Sequence, residues 1–237
     1  MRFPRRVIVF LALSWALVAL YPDPTVLVAS VRNFIVPQVQ PDATRALAAT
    51  LPDDAREIER RVLDDVVPYG PDWQTAGVPW SFPTAAQALR AGRGDCESRA
   101  VVLASVLSAK GIPNELRVSF DHIWVDYPGK VPTPTENDAR VLVGRGSGGW
   151  FGLRWPDDVD LRRELRSQAA IYWDPMPAGR KALLFVGLTW IALWNVLATT
   201  LTRPGGARAR RHALGAVKAP TPSSAGGPSS RWRPEAG

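Results

Sequence analysis

Cysteine and histidine are scarce in this sequence. Its 237 residues contain one cysteine, Cys96, and two histidines, His122 and His212. A single cysteine cannot form an intramolecular disulfide, and no second cysteine or histidine stands at the spacing of a structural zinc site. The sequence therefore predicts no disulfide scaffold, no metal site and no cofactor, and it leaves Cys96 as either a small core residue or a nucleophile.

Phosphate binding and nucleic-acid binding also lack support. The glycine-rich stretch GRGSGG, residues 144–149, lacks the Lys-Ser/Thr pair of a phosphate-binding loop. The formal net charge is +7, yet Tyr21 to Arg180 holds 18 Lys and Arg against 21 Asp and Glu, a net charge of −3. The basic residues therefore belong to the chain ends, where membrane topology and anionic lipid explain them better than nucleic acid does.

Two segments without a charged residue predict membrane helices. Ala182 to Leu201 is long enough to cross a bilayer at about 1.5 Å per residue. Val7 to Tyr21 is close to the lower limit of about 17 residues, so residues 1–21 are either a signal-anchor or a cleaved signal peptide. We favour the anchor, because only the weak motif VAS at Val28 to Ser30 offers a cleavage site after it.

Arginine residues flank both segments and predict the topology. They are Arg2, Arg5 and Arg6 before the first segment and Arg203, Arg208, Arg210 and Arg211 after the second. Positively charged flanks stay in the cytoplasm, so both termini should be cytoplasmic and residues 22–180 should form an extracytoplasmic domain at the cell (inner or plasma) membrane. Residues 202–237, rich in Gly, Pro, Ser and Arg, predict a disordered basic tail that includes His212.

The residues around Cys96 predict a buried helix that begins at the cysteine. Glu97 to Lys110 carries apolar side chains over more than half of its circumference, and Gly111 and Pro113 end it. Asp95 is placed to cap its start, which puts the sulfur in the first turn. Free backbone N–H groups and the helix dipole stabilise a thiolate there, so we expect the pKa of Cys96 to lie below its usual value of about 8.5.

Strands are predicted on both sides of the remaining histidine. Glu115 to Lys130 alternates and is rich in β-branched and aromatic residues, which predicts one or two strands with His122 and Asp126 on one face. Ala139 to Trp155 predicts two more strands joined by a glycine-rich turn. Upstream, Pro52 to Val67 predicts an amphipathic helix.

The segment GDCESRAVVLASVLSAKGIP, residues 94–113, followed by HIWVDY, residues 122–127, and by an acid on a later strand, resembles the transglutaminase-like superfamily of the membrane-anchored bacterial type. The resemblance covers roughly Asp53 to Trp155. It implies an α+β, papain-like core in which a buried helix that carries the cysteine packs on an antiparallel sheet. Here that core would be flanked by two transmembrane helices.

The resemblance implies activation of Cys96 by His122 and attack on a carboxamide or peptide carbonyl. The acyl-thioester that forms would be released to an amine or to water. No cofactor takes part in this chemistry.

A third residue should orient the histidine. Asp126 is unsuitable, because four residues along a strand cover about 13 Å. Asp138 fits the usual separation between histidine and aspartate in the family that the sequence resembles. Asn137 replaces it if the site is papain-like, and Asp157 is a more remote alternative.

Three functional classes follow. The first is a membrane-tethered thiol enzyme, a protease, amidase or acyl transferase, whose substrate is a protein, a peptide or an envelope polymer. The second is a catalytically inactive domain of the same fold that binds such a partner. The third is a structural membrane protein in which Cys96 is a core residue. The sequence names the membrane as a partner, excludes nucleic acid and leaves partner membrane proteins open.

The predicted topology can be tested with reporter fusions. A reporter fused after Gly237 should behave as cytoplasmic, and one inserted near Asp42 as extracytoplasmic, because arginines flank both spans. Protease protection and alkaline phosphatase activity of the two fusions measure this. The opposite pattern would contradict the assigned localisation.

Overall fold

A computed structural model of the chain describes residues 4–119, 122–134, 136, 143–146, 149–151 and 161–201. Several sequence predictions fall on other residues and lie outside the described residues: Asn137, Asp138, Asp157 and the tail 202–237.

The described residues form nine α-helices. They are α1 (Arg5–Leu20), α2 (Pro24–Ile35), α3 (Pro41–Thr50), α4 (Ala55–Arg61), α5 (Asp72–Thr75), α6 (Ala85–Ala91), α7 (Cys96–Ala109), α8 (Leu161–Gln168) and α9 (Ala178–Leu201). A π-helical turn, Val62–Val66, continues α4, and another, Ala169–Trp173, continues α8. The helices predicted upstream and at Cys96 are therefore confirmed, the second beginning at the cysteine itself.

Four short strands form one antiparallel sheet. They are β1 (Glu115–Val118), β2 (Ile123–Asp126), β3 (Val143–Gly146) and β4 (Gly149–Phe151), in the order β2-β1-β3-β4. In the β1–β2 hairpin, Arg117 lies opposite Trp124. The predicted strands are confirmed, and the fold is a mixture of helices and sheet.

Helix α7 is the centre of the folded domain. It packs against α3, α6, β1 and β2. Its Leu107 is fully buried, which stabilises the fold by about 1.5–3 kcal/mol. Ser105, also fully buried, accepts a hydrogen bond from the Gln40 backbone N–H (2.9 Å) and so fixes the start of α3 against α7. Ala48 of α3 belongs to the same core, which therefore includes residues upstream of the segment that resembles the family.

Helices α1 and α9 pack side by side with opposite chain directions. The Trp15 indole donates a hydrogen bond to the Leu183 carbonyl (3.1 Å), and one turn further along α1 the Arg180 guanidinium donates to the Ala19 carbonyl (3.2 Å). Trp15 also lies over Gly187, where a Cβ atom would come within 1.9 Å of the indole ring. This close approach needs a residue without a side chain.

One helix among the described residues is long and apolar enough to cross a membrane, at Ala178–Thr200. Helix α1 passes the same test only together with α2, from which it is separated by a bend of 85°. By its internal contacts the chain divides into two compact units. One extends from Phe3 to Leu193, and the other includes the end of α9 from Trp194.

Replacing Gly187 by Ala should separate α1 from α9, because the added methyl group would overlap the Trp15 ring. Overpacking of this kind costs about 1–3 kcal/mol. The measurement is the thermal unfolding of the full chain in detergent micelles. Gly179→Ala is the matched control, because a Cβ at Gly179 meets nothing within 4 Å. Equal unfolding temperatures for the two variants would contradict the predicted packing.

Candidate functional site

A cavity of about 390 Å³ lies beside the first turn of α7. Its lining includes Cys96 and Glu97 from α7, His122 and Ile123 from the β1–β2 hairpin, and the aromatic side chains of Trp80 and Tyr172. The fold thus brings the two sequence-predicted residues Cys96 and His122 to one cavity. A second cavity, of about 330 Å³, lies between α2 and α6, and neither residue is part of its described lining.

The position of Cys96 is fixed by the two residues that precede it. The Asp95 carboxylate accepts a hydrogen bond from the Ser98 backbone N–H (3.4 Å), which confirms the predicted cap. A Cβ at Gly94 would lie 2.2 Å from Cβ of Ser98, so position 94 has room only for a glycine. The Gly94 carbonyl accepts a hydrogen bond from the Gly70 N–H (2.9 Å), so the loop before α5 lies directly against the start of α7.

Glu97 is the direct partner of the thiol. The Cys96 thiol donates a hydrogen bond to Oε2 of Glu97 (2.9 Å), and the Trp80 indole donates to Oε1 of the same carboxylate (2.9 Å). Glu97 is buried, so these contacts replace the water that a carboxylate loses on burial. The thiol proton consequently has an acceptor in the resting protein.

Three buried carboxyl groups surround this turn: Asp72, Asp95 and Glu97. Burial, followed by the charge of Asp95, raises the pKa of Asp72 to about 8, although both the hydroxyl and the backbone N–H of Ser81 donate to it. Burial and the charge of Glu97 raise the pKa of Asp95, and burial raises that of Glu97. Like charges this close cannot all ionise together, so the cluster holds protons in the neutral pH range.

The pKa of Cys96 is raised well above its ordinary value, mainly by burial and then by the charges of Glu97 and Asp95. The expectation of a lowered pKa was therefore wrong. A hydrogen bond from the Ile123 backbone N–H lowers the pKa, but this effect is smaller than that of burial. The sequence pattern indicated that the helix start stabilises a thiolate, but it did not indicate the nearby carboxylates of Glu97 and Asp95, which raise the pKa of Cys96.

His122 immediately precedes β2, in the turn of the β1–β2 hairpin. The Ser119 backbone N–H donates to its carbonyl (2.8 Å), and its own backbone N–H donates to the Ser119 hydroxyl (3.1 Å). Its ring stacks on Trp124, with ring centroids 5.8 Å apart and an angle of 13° between the planes. Since Trp124 is buried, this stack holds the plane of the imidazole.

A small cavity of about 40 Å³ is also shared by Cys96 and His122, and Glu136 lines it. Glu136 is buried, pairs with Lys130 Nζ (3.0 Å) and accepts a hydrogen bond from the Thr133 backbone N–H (2.9 Å). The chain segment that leads to Asp138 therefore lines the same small cavity as the histidine. Asp138 itself lies outside the described residues.

Two charged side chains near the site have different surroundings. Asp126 pairs with the Arg117 guanidinium (2.9 Å) on the sheet, in agreement with its exclusion as the third residue. Arg99 lines the 390 Å³ cavity, and its buried Nε has no hydrogen-bond partner within the described part of the chain.

Metal-binding geometry is not found among the described residues, where no three His, Cys, Asp or Glu side chains are arranged to hold an ion. Instead of binding an ion, the carboxyl groups of Asp72, Asp95 and Glu97 retain protons or accept hydrogen bonds from neighbouring side chains.

Sequence reasoning missed Asp72, Trp80 and Glu97 as members of the site. Glu97 follows the cysteine directly, and an acidic residue on an otherwise buried helix was a signal for it. Asp72 begins the short helix α5 and Trp80 lies in the loop that follows it, and no local pattern connects them with α7.

Replacing Glu97 by Gln should lower the pKa of Cys96, because it removes a negative charge beside the sulfur. The measurement is the rate of alkylation of the full chain by iodoacetamide as the pH rises from neutral through the alkaline range, since only the thiolate reacts. The midpoint should move to lower pH in this variant. Glu57→Gln on α4, where the carboxylate pairs with Arg60, is the control and should leave the midpoint in place. An unmoved midpoint in the Glu97 variant would contradict the proposed charge effect.

Comparisons of the chain with protein-family models, with curated proteins and with solved structures find no match. The resemblance of residues 94–113 and 122–127 to the transglutaminase-like superfamily stays a prediction from those residues. The proposal for the function of this protein therefore rests on the chemistry of the side chains around the cavity.

Proposed function

We propose that the protein is a membrane-tethered thiol enzyme of the transglutaminase-like type, with a papain-like core, in which Cys96 attacks an amide or peptide carbonyl. The observation that carries the proposal is the shared cavity: Cys96 in the first turn of a buried helix and His122 in a hairpin turn both line it. A nucleophile and a base on two rigid elements around one cavity are what acyl transfer requires.

The step begins with transfer of the Cys96 thiol proton to His122. The sulfur forms a bond to the carbonyl carbon, and the oxyanion is stabilised by the Cys96 backbone N–H at the helix start. The C–N bond then breaks as the leaving amine takes the proton from His122. Water or a second amine attacks the thioester, which frees the thiol and gives a carboxylic acid or a new amide.

Asp138 is proposed to orient the histidine. Glu136, two residues earlier, lines the small cavity with His122, which supports an approach of this segment to the imidazole. Asn137 is the alternative in the same segment, and Asp157 the more remote one. Glu136 itself is held by Lys130 and is less suited to the role.

The lining of the cavity favours an extended chain as substrate. Aromatic side chains of Phe34, Trp80 and Tyr172 form part of its wall, and its volume is in the range of sites that bind small ligands or short peptide segments. Arg99 is a charged residue in the same lining. These features support a protein, a peptide or an envelope polymer as the acyl donor.

The domain is proposed to lie outside the cytoplasm. Antiparallel packing of α1 on α9 supports a pair of membrane helices whose outer ends lie on the same side. The arginine flanks support a cytoplasmic position for that side. Packing against α9 also supports α1 as a retained anchor.

A second candidate is an inactive domain that binds the same class of polymer. The observation that favours it is the raised pKa of Cys96, whose thiol is held by Glu97. In this case the sulfur stays protonated near neutral pH and the cavity serves binding alone. The two candidates differ in whether His122 changes the reactivity of the thiol.

The enzyme proposal predicts that Cys96→Ala and His122→Ala each lower turnover by at least about 100-fold, the usual contribution of a general base. The double variant should be little worse than either single one, because the two residues act as one unit. The assay offers glutaminyl peptides to the full chain in lipid nanodiscs. Incorporation of a fluorescent primary amine measures transfer, and mass spectrometry of the peptides measures hydrolysis.

Two aspartate variants serve as comparisons in that assay. Asp138→Ala should cost less than Cys96→Ala, since it removes only an orienting group. Asp126→Ala, whose carboxylate pairs with Arg117, should leave turnover largely intact. If His122→Ala folds and changes neither turnover nor the alkylation rate of Cys96, the enzyme proposal fails and the binding domain becomes the better description.

A further inference from the structure

Helix α2 exposes three of its large apolar side chains and buries two of its polar ones. Val28, Val31 and Ile35 are exposed by 69%, 43% and 59%. They stand at intervals of three and four residues and form one stripe along the helix. In contrast, Ser30 and Asn33 are 2% and 5% exposed. This is the reverse of what a helix on a water-facing surface shows.

The buried face of α2 is held by specific contacts. The Asn33 side chain donates a hydrogen bond to the Phe82 carbonyl (2.9 Å). Phe34 packs edge to face on both Trp80 and Phe82, with ring centroids 6.2 Å and 5.9 Å away. The orientation of α2 is therefore fixed, and rotation cannot bring the apolar stripe into the core.

The residues that precede α2 and those near the start of α9 are typical of a membrane helix and of its interface. Helix α2 follows α1 directly, after the bend of 85°, and α1 itself exposes large apolar side chains such as Phe10 and Leu13. Near the start of α9, Trp173 packs edge to face on Phe185 of that helix, and the Lys181 ammonium lies over the Trp173 ring, 5.2 Å from its centroid. Tryptophan and lysine are residues that mark the interface between lipid and water.

We propose that α2 lies in the plane of the membrane at the interface, with Val28, Val31 and Ile35 inserted among the lipid acyl chains. A helix turned by 85° from a membrane-crossing helix runs nearly parallel to the bilayer surface. An exposed apolar stripe next to an apolar helix continues the lipid-facing surface of that helix. Arg32, exposed beside the stripe, extends toward the headgroups.

The consequence concerns access to the candidate site. Phe34, on the buried side of α2, lines the 390 Å³ cavity, so one helix separates that cavity from the lipid. A helix with its side chains is about 10 Å across. In this arrangement the cavity lies close to the membrane surface and suits an acyl donor that lies along it. The position of α2 does not depend on the thiol chemistry.

The test measures the depth of α2 in the full chain, reconstituted in phosphatidylcholine and phosphatidylglycerol vesicles. In a Cys96→Ser background, Val28→Cys, Val31→Cys and Ile35→Cys are labelled singly with a nitroxide. Collision with oxygen, which concentrates in lipid, should exceed collision with a water-soluble nickel chelate at all three. Asp53→Cys is the aqueous reference, because the Asp53 side chain is 99% exposed, and it should show the reverse order.

Two results would overturn the proposal: the aqueous order at all three stripe positions, or spin coupling between labels that shows a second copy covering the stripe. A measurement on the unsubstituted chain guards against misfolded variants. Phospholipids with a photoreactive acyl chain should form adducts on α2 as well as on α9. Adducts on α9 without any on α2 would equally contradict the proposal.

Discussion

Burial of charge at the first turn of α7 is the constraint on which the rest of the site depends. Helix α7 is buried along most of its length, so Glu97 and Asp95 lose water together with their apolar neighbours. Each carboxyl group needs a donor or a proton in exchange. The Trp80 indole and the Cys96 thiol meet this need at Glu97. The loop that carries Trp80 is therefore held next to the cysteine. The contacts that neutralise the buried carboxyl groups thus also determine the shape of the cavity.

The same loop connects the site with α1 and α2. Its Trp80 carbonyl accepts a hydrogen bond from the Tyr21 hydroxyl (3.1 Å) at the end of α1, and its Phe82 carbonyl accepts from Asn33 of α2. The segment that neutralises Glu97 thus also fixes the angle between α1 and α2. In the proposed membrane enzyme, one set of contacts would therefore hold the thiol beside Glu97 and the substrate near the bilayer.

Local patterns predicted most of the fold. The apolar run after Cys96, the cap at Asp95 and the alternation around His122 each depend on neighbours in sequence, and the structure has α7, β1 and β2 where these patterns indicate. The pKa of Cys96 could not be predicted in this way, because burial raises it and because the carboxylates act through space. The sequence did not predict helix α2 either. An apolar stripe of this kind is typical of a helix face that packs in a core, whereas in the structure the face that carries Asn33 is the buried one.

Ionisation of the buried carboxyl groups opposes the stability of the fold, which leaves a particular role for the histidine. The pKa of Asp72 rises from 3.8 in an unfolded chain to about 8 in the fold. The folded state therefore binds the proton more tightly, and the free energy of unfolding falls by up to about 1.4 kcal/mol per pH unit as the pH rises between these values. A thiolate at Cys96 is favoured by high pH, where the carboxylates of Asp95 and Glu97 are also charged and repel it. In the enzyme proposal, the proton that Cys96 transfers to His122 gives the imidazole a positive charge, which offsets that repulsion. His122 is thus needed in this proposal to create the nucleophile as well as to move the proton.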